Sequence, residues 1–212
     1  MLCAVLNALL FCACSEDPAN IAYTQAFLVL DWQDSESLPE QRLSVFAELS
    51  SNVRRLESIC VRRDEFSWTI ESPILLQAAE RQWAGSARLE PPIKPNGEAG
   101  VFESGSYSVE CMDAAGEKAS ANFMISYNAA LLEAKPAEVE GIIPAVYKRL
   151  AVYSDTNELL YFDAPKENWF EAEAVFKGVK NSCFYREVLS AGTVVCLMPK
   201  IYKDGEKSDE SE

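Results

Sequence analysis

Between Ala22 and Tyr127, apolar and polar residues alternate in short runs broken by turn-forming residues, the period-two signature of half-buried strands. Ala22–Asp31 (AYTQAFLVLD) predicts a first strand. Leu43–Leu49 predicts a second, with Leu43, Val45, Ala47 and Leu49 on one face. Leu56–Arg62 and Phe66–Glu71 flank the polar Arg63-Asp64-Glu65 as the arms of a hairpin flank its turn. Ser106–Met112 and Ser120–Tyr127 do the same about Asp113-Ala114-Ala115-Gly116, where Gly116 supplies a residue free to take positive φ. Ser72–Gly85 reads two ways: a helix opened by Ser72-Pro73, or an edge strand and crossover. Pro91–Gly100 (PPIKPNGEAG) is too rich in Pro and Gly for a central strand.

Beyond Tyr127 the pattern changes. Pro136 to Gly141 predicts a linker. Ala145–Ser154 and Glu158–Phe162 predict two strands around Asp155-Thr156-Asn157, and Asp163-Ala164-Pro165 opens a helix with Trp169, Ala172, Phe176 and Val179 on one face. Thr193–Met198 (TVVCLM) predicts a last, buried strand. The expected architecture is mainly β, α+β overall. An antiparallel sandwich occupies 22–135, and a small β-β-α-β appendage over 136–201 packs on it. An acidic disordered tail closes the chain over 202–212.

Gly105-Ser106-Tyr107-Ser108-Val109, followed by Asp113 and Gly116, resembles the closing hairpin of bacterial Ig-like and fibronectin-type modules, whose penultimate strand reads G-x-Y-x-V. Tyr107, Val109 and Cys111 fall on one face at period two, as that hairpin needs. Cys60, Trp68 and Cys111 stand in the Cys…Trp…Cys order of Ig domains, although Tyr107 lies four residues before Cys111 instead of two. The resemblance covers roughly half the chain and implies an Ig-like sandwich with Trp68 in its core.

Residues 1–13 (MLCAVLNALLFCA) carry no charge, and the chain then turns abruptly polar at Cys14, Ser15, Glu16, Asp17 and Pro18. The apolar run is shorter than the roughly 20 helical residues that span a bilayer, so it reads as a signal peptide. The competing reading is a buried N-terminal strand or helix. Leu10-Phe11-Cys12-Ala13 ahead of Cys14 resembles the lipobox of bacterial lipoproteins, in the relaxed form known from spirochaetes, with residues 14–21 as a tether. That resemblance implies cleavage before Cys14, a diacylglycerol on its sulfur, an acyl chain such as palmitate on its new amino group, and a lipid-anchored place in the cell envelope.

With residues 1–13 removed and Cys14 lipidated, Cys60, Cys111, Cys183 and Cys196 remain. An even number in an exported chain suggests disulfides, with Cys60–Cys111 and Cys183–Cys196 favoured; four buried free thiols are the alternative. No CxxC spacing supports thiol redox chemistry or a cysteine-zinc site.

A net charge of −14 repels phosphate backbones and argues against nucleic acid as a partner. The chain has no histidine, which removes the imidazole-based triads and most catalytic zinc sites. No phosphate-binding, dinucleotide or hydrolase motif stands in the sequence, so it names no catalytic residue, metal or cofactor. Arg54, Arg55, Arg62 and Arg63 form one basic cluster, a candidate surface for an anionic partner or for pairing with nearby acids. Of the four tryptophans, Trp83 beside Gly85 is the best candidate for an exposed aromatic, while Trp169 suits a core. Glu167, Glu171 and Glu173 lie on or near the C-terminal helix and are the residues a carboxylate hydrolase would draw on. The expectation is a non-enzymatic, membrane-anchored envelope lipoprotein that binds or scaffolds a protein or an envelope polysaccharide. An exported glycan hydrolase and a small-ligand carrier are the alternatives.

Overall fold

The computed structural model describes residues 20–50, 56–143 and 146–203. The signal peptide expected over 1–13, the lipidation candidate Cys14, Arg54 and Arg55, and the tail from residue 204 lie outside the described residues. The chain is mainly β, 53% strand and 10% helix, built as two sheets of a sandwich with a small helical part.

Eight strands come first: β1 (Ile21–Asp31), β2 (Glu40–Leu49), β3 (Leu56–Arg63), β4 (Phe66–Ile70), β5 (Ile74–Ala78), β6 (Arg81–Leu89), β7 (Gly105–Asp113) and β8 (Lys118–Ile125). A 3-10 turn at Ala129–Leu132, another at Pro136–Glu138 and the short α1 (Val139–Ile142) connect them to β9 (Tyr147–Tyr153) and β10 (Leu159–Asp163). After these come α2 (Ala172–Gly178), β11 (Phe184–Ala191), β12 (Val194–Leu197) and β13 (Ile201–Tyr202). The smaller sheet has the order β4-β3-β7-β8. The larger runs β10-β9-β11-β12-β1-β2-β6-β5, with β13 pairing β11. Neighbours are antiparallel throughout except β1 and β12, which run parallel over Leu28–Asp31 and Val194–Leu197.

The alternation seen in the sequence sets which face is buried. In β2, Leu43, Val45, Ala47 and Leu49 point inward, and in β7, Tyr107, Val109 and Cys111 meet them from the other sheet. β1 alternates only in its first half and is buried without interruption from Leu28 to Asp31, where β12 covers its flank. Leu28, Leu30, Leu43 and Val61 are wholly buried, each contributing about 1.5–3 kcal/mol of apolar transfer free energy. The two predicted hairpins form: Asp64 takes φ of 48° in one turn, and Gly116 takes 83° in the other, where the Asp113 carboxylate accepts from the Ala115 and Glu117 amides.

Several expectations are corrected. Of the two readings of Ser72–Gly85 the helix is overturned and the edge strand holds for β5, which ends the larger sheet, while β6, its hairpin partner about Ala79, is interior because β2 pairs its other side. The segment expected as a linker, 136–141, folds into the second 3-10 turn and α1, and Val139 is fully buried. Just before it, the Ala134 carbonyl accepts the indole N–H of Trp32 at 2.9 Å, and Trp32, not Trp68, is the fully buried tryptophan of the sandwich. Trp68 lies half-buried on β4, an edge strand, its ring 5.4 Å from that of Phe102 and tilted to it by 35°. The helix expected from Pro165 is confined to Ala172–Gly178, and Trp169 enters a second core with Leu150, Val152, Val175, Phe176 and Tyr185. The C-terminal strands continue the larger sheet edge to edge through the β1–β12 pair, and β11, not anticipated from sequence, joins β9 to β12.

The favoured disulfides are also corrected, since all four cysteines are free. Cys60 and Cys111 sit on paired strands with opposite orientation: Ile59 stands opposite Cys111, so Cys111 faces the core and Cys60 faces away. Cys196 stands opposite Leu189, six residues along β11 from Cys183, a separation of about 20 Å in an extended strand. That exceeds any disulfide span.

Candidate functional site

Among the described residues, those nominated from sequence do not converge on one site. Strand alternation sends Arg62 and Arg63 to opposite faces of β3. Arg62 is exposed beside Glu110 at 3.6 Å. Arg63 lies over the Tyr107 ring, 5.2 Å from its centroid, bonds the Tyr107 hydroxyl at 3.2 Å and pairs with the Glu103 carboxylate at 2.9 Å. Its charge is therefore answered inside the fold. Burial raises the Tyr107 hydroxyl above the ordinary phenol range, and the Lys118 hydrogen bond holds the Glu110 carboxyl below its own. Glu173 pairs with Lys177 at 2.8 Å on the exposed side of α2, and Glu167 and Glu171 are exposed too. Among the described residues no three Cys, Asp or Glu side chains converge as a metal site.

Trp83 is the exception: it belongs to a patch. Register places Leu76, Trp83, Glu48 and Tyr23 in one row across β5, β6, β2 and β1, on the face of the larger sheet turned away from the core. Tyr23 meets Trp83 edge to face at 6.0 Å and is 59% exposed; Ile74 and Leu76 are also exposed. Gly85 lies within the patch because β6 approaches β2 so closely there that a Cβ would stand 2.0 Å from the Val45 carbonyl oxygen.

A concavity lies beside the first half of β1. Residues Ile21–Phe27 pair with β2 on one side, whereas β12 covers only Leu28–Asp31 on the other. The uncovered stretch faces a cleft of about 560 Å³, walled by Ala121–Met124 of β8 and closed at one end by Gly192 and Thr193. Thr193 locks that end. Its carbonyl accepts the Leu28 amide at 2.8 Å, and its hydroxyl accepts the Ser126 amide at 2.9 Å and donates to the Ser126 carbonyl at 3.0 Å. Thr24 also lines the cleft, and its hydroxyl is buried with no hydrogen-bond partner. All the lining side chains are apolar, amide, hydroxyl or phenol groups, with no Asp, Glu, Lys or Arg among them.

No sequence signal points to this cleft, since only the point at which β12 stops covering β1 creates it. A buried ion cluster at the far end of β1 was missed as well. Asp31 accepts from Arg186 at 2.6 Å and from Arg42 at 3.1 Å, and Arg186 donates further to the carbonyls of Leu197 and Met198. A charged residue set between Phe184-Tyr185 and Val188-Leu189 was the available signal. Compared with known protein families, with curated proteins and with solved structures, the chain matches none.

Proposed function

We propose that this chain is a lipid-anchored cell-envelope protein, held to a membrane by acyl chains on Cys14, whose β-sandwich binds or scaffolds a partner outside the cytoplasm. The observation that carries this reading is the position of the apolar-to-polar junction at Cys14, six residues ahead of Asn20, where the described chain enters β1. Six extended residues reach about 20 Å, so an anchor at Cys14 keeps the start of β1 close to the bilayer surface. The aromatic pair Tyr23–Trp83 sits near that end of the strand, and amphipathic aromatics are the side chains that settle at a membrane–water interface. Among the described residues no helix is long and apolar enough to cross a membrane, so in this reading attachment rests on lipid. A cleft walled without charged side chains supports binding as the activity of the sandwich.

Metabolic labelling with a fatty-acid analogue tests the anchor. Label is expected on the wild-type protein and lost on Cys14→Ser; equal labelling of the two forms overturns the proposal.

A further inference from the structure

We infer that β5, the free edge of the larger sheet, pairs antiparallel with β5 of a second copy of this chain, with Leu76 on the two-fold axis. β5 ends the sheet, and among the described residues no strand pairs with its outer flank. All five of its residues are exposed, and Ile74, Leu75 and Leu76 are 46%, 53% and 49% exposed in succession. A free edge that is apolar on both faces is a template for another strand. The hairpin fixes which backbone groups that edge offers. Ala78 pairs with Arg81 across the two-residue turn Ala79-Glu80, where Ala79 takes φ of 55°. Residues flanking such a turn exchange both backbone bonds, so Ala78, Leu76 and Ile74 direct theirs to β6. Leu75 and Gln77 therefore turn their N–H and C=O groups outward.

Charge and register make the occupant a second copy. Around a two-fold axis, any charge near the centre of the edge comes up against its own like, which destabilises the pair. Residues 72–79 (SPILLQAA) carry none, in a chain whose residues are 25% charged. With Leu76 on the axis, Leu75 of each copy lies opposite Gln77 of the other, and all their outward groups find partners. Moving the axis to Leu75 sets Gln77 against Pro73, which has no N–H to give. Moving it to Gln77 sets Leu75 against Ala79, where the chain already turns away. In the favoured register the two Leu76 side chains meet on the face turned away from the core, and Ile74 lies opposite Ala78. The row Tyr23, Glu48, Trp83, Leu76 then continues in reverse order into the second copy.

The test is the mass of the full chain in mild detergent, followed by sedimentation across concentration. A short edge contact is a weak one, so the mass is expected to rise from one chain toward two between about 1 and 100 µM. Where about nine-tenths of the chains are paired, amide exchange at Leu75 and Gln77 is expected to slow by about ten-fold. Leu76 and Ala78, already bonded to β6, are expected to exchange at an unchanged rate. Leu76→Lys sets like charges on the axis and is expected to abolish the dimer while leaving the circular dichroism spectrum as it was, since the side chain is exposed. Leu76→Cys is expected to form a disulfide-linked dimer under mild oxidation. Gln77→Cys, about 8 Å from its own copy, is expected to cross-link no more than wild type. A single-chain mass at about 100 µM overturns the inference, whether the edge stays bare, is covered by the chain's own residues or serves another protein. So does a dimer that survives Leu76→Lys, equal cross-linking of the two cysteine variants, or unchanged exchange at Leu75 and Gln77. None of these readouts depends on the Cys14 anchor, so the two proposals fail separately.

Discussion

Asp31 and Arg186 are each more than nine-tenths buried, and their 2.6 Å contact ties the end of β1 to β11 across the intervening β12. A buried charge deprived of its partner destabilises a fold by about 3–5 kcal/mol, because neither water nor a counterion replaces what is lost. Arg186→Met is therefore expected to lower the unfolding free energy by about 3–5 kcal/mol in urea titrations. Arg42→Met, whose guanidinium is partly solvated, is expected to cost about 1 kcal/mol or less. Equal losses in the two variants would contradict this ranking. The thiols divide in a similar way. Burial pushes Cys111 and Cys196 up to about 12, so they hold their protons at any working pH, whereas Cys60 and Cys183 are only half-buried. Iodoacetamide at pH 8 is expected to modify Cys60 and Cys183 in the native protein, and to reach Cys111 and Cys196 only after denaturation. Peptide mass mapping checks it.

At the scale of elements, the hairpin of β5 and β6 depends on one close approach. With its Cβ position 2.0 Å from the Val45 oxygen, Gly85→Ala has to push β6 off β2 and is expected to cost about 3 kcal/mol or more, well above the usual exposed-strand change. A melting temperature within a degree or two of wild type would show that the register bulge near Leu43 and Val45 absorbs the methyl group. The hairpins around Asp64 and Asp113 were legible in the sequence because each joins two alternating runs through polar turn residues, and local chemistry decides such elements. Ser72–Gly85 was not, since Ser72-Pro73 is a fair helix start and only pairing with β2 makes β6 a strand. The same reasoning covers residues 136–141. Pro136 and Gly141 suggest a linker locally, but the core needs Val139, and Trp32 needs an acceptor on Ala134. Of the nominated site residues, Trp83 was expected to be an exposed aromatic and is half-buried, its ring meeting Tyr23 edge to face. For the arginine cluster the expected pairing with nearby acids holds at Arg62 and Arg63, which meet Glu110 and Glu103, although which acids they meet is invisible along the chain.

For the whole molecule, the C-terminal third is structural to the sandwich. Leu189, Cys196 and Leu30 form one buried row across β11, β12 and β1, and Leu131, Val139 and Ile143 belong to the same core. A chain ending at Gly141 loses β12 beside Leu28–Asp31 and leaves Asp31 without Arg186. It is expected to show no cooperative thermal transition by circular dichroism, whereas the full chain shows one. A sharp transition in the shortened chain would mean that residues 22–135 fold alone. The parallel pair at the centre of the larger sheet carries a consequence for biogenesis. Its two strands stand some 165 positions apart along the chain, Leu28 against Val194, so the middle of the sheet stays open until ribosomes have delivered nearly every residue. Until then the flank of Leu28–Asp31 has no partner, and the nascent chain passes through a stage in which an unpaired, apolar strand edge is open to mispairing.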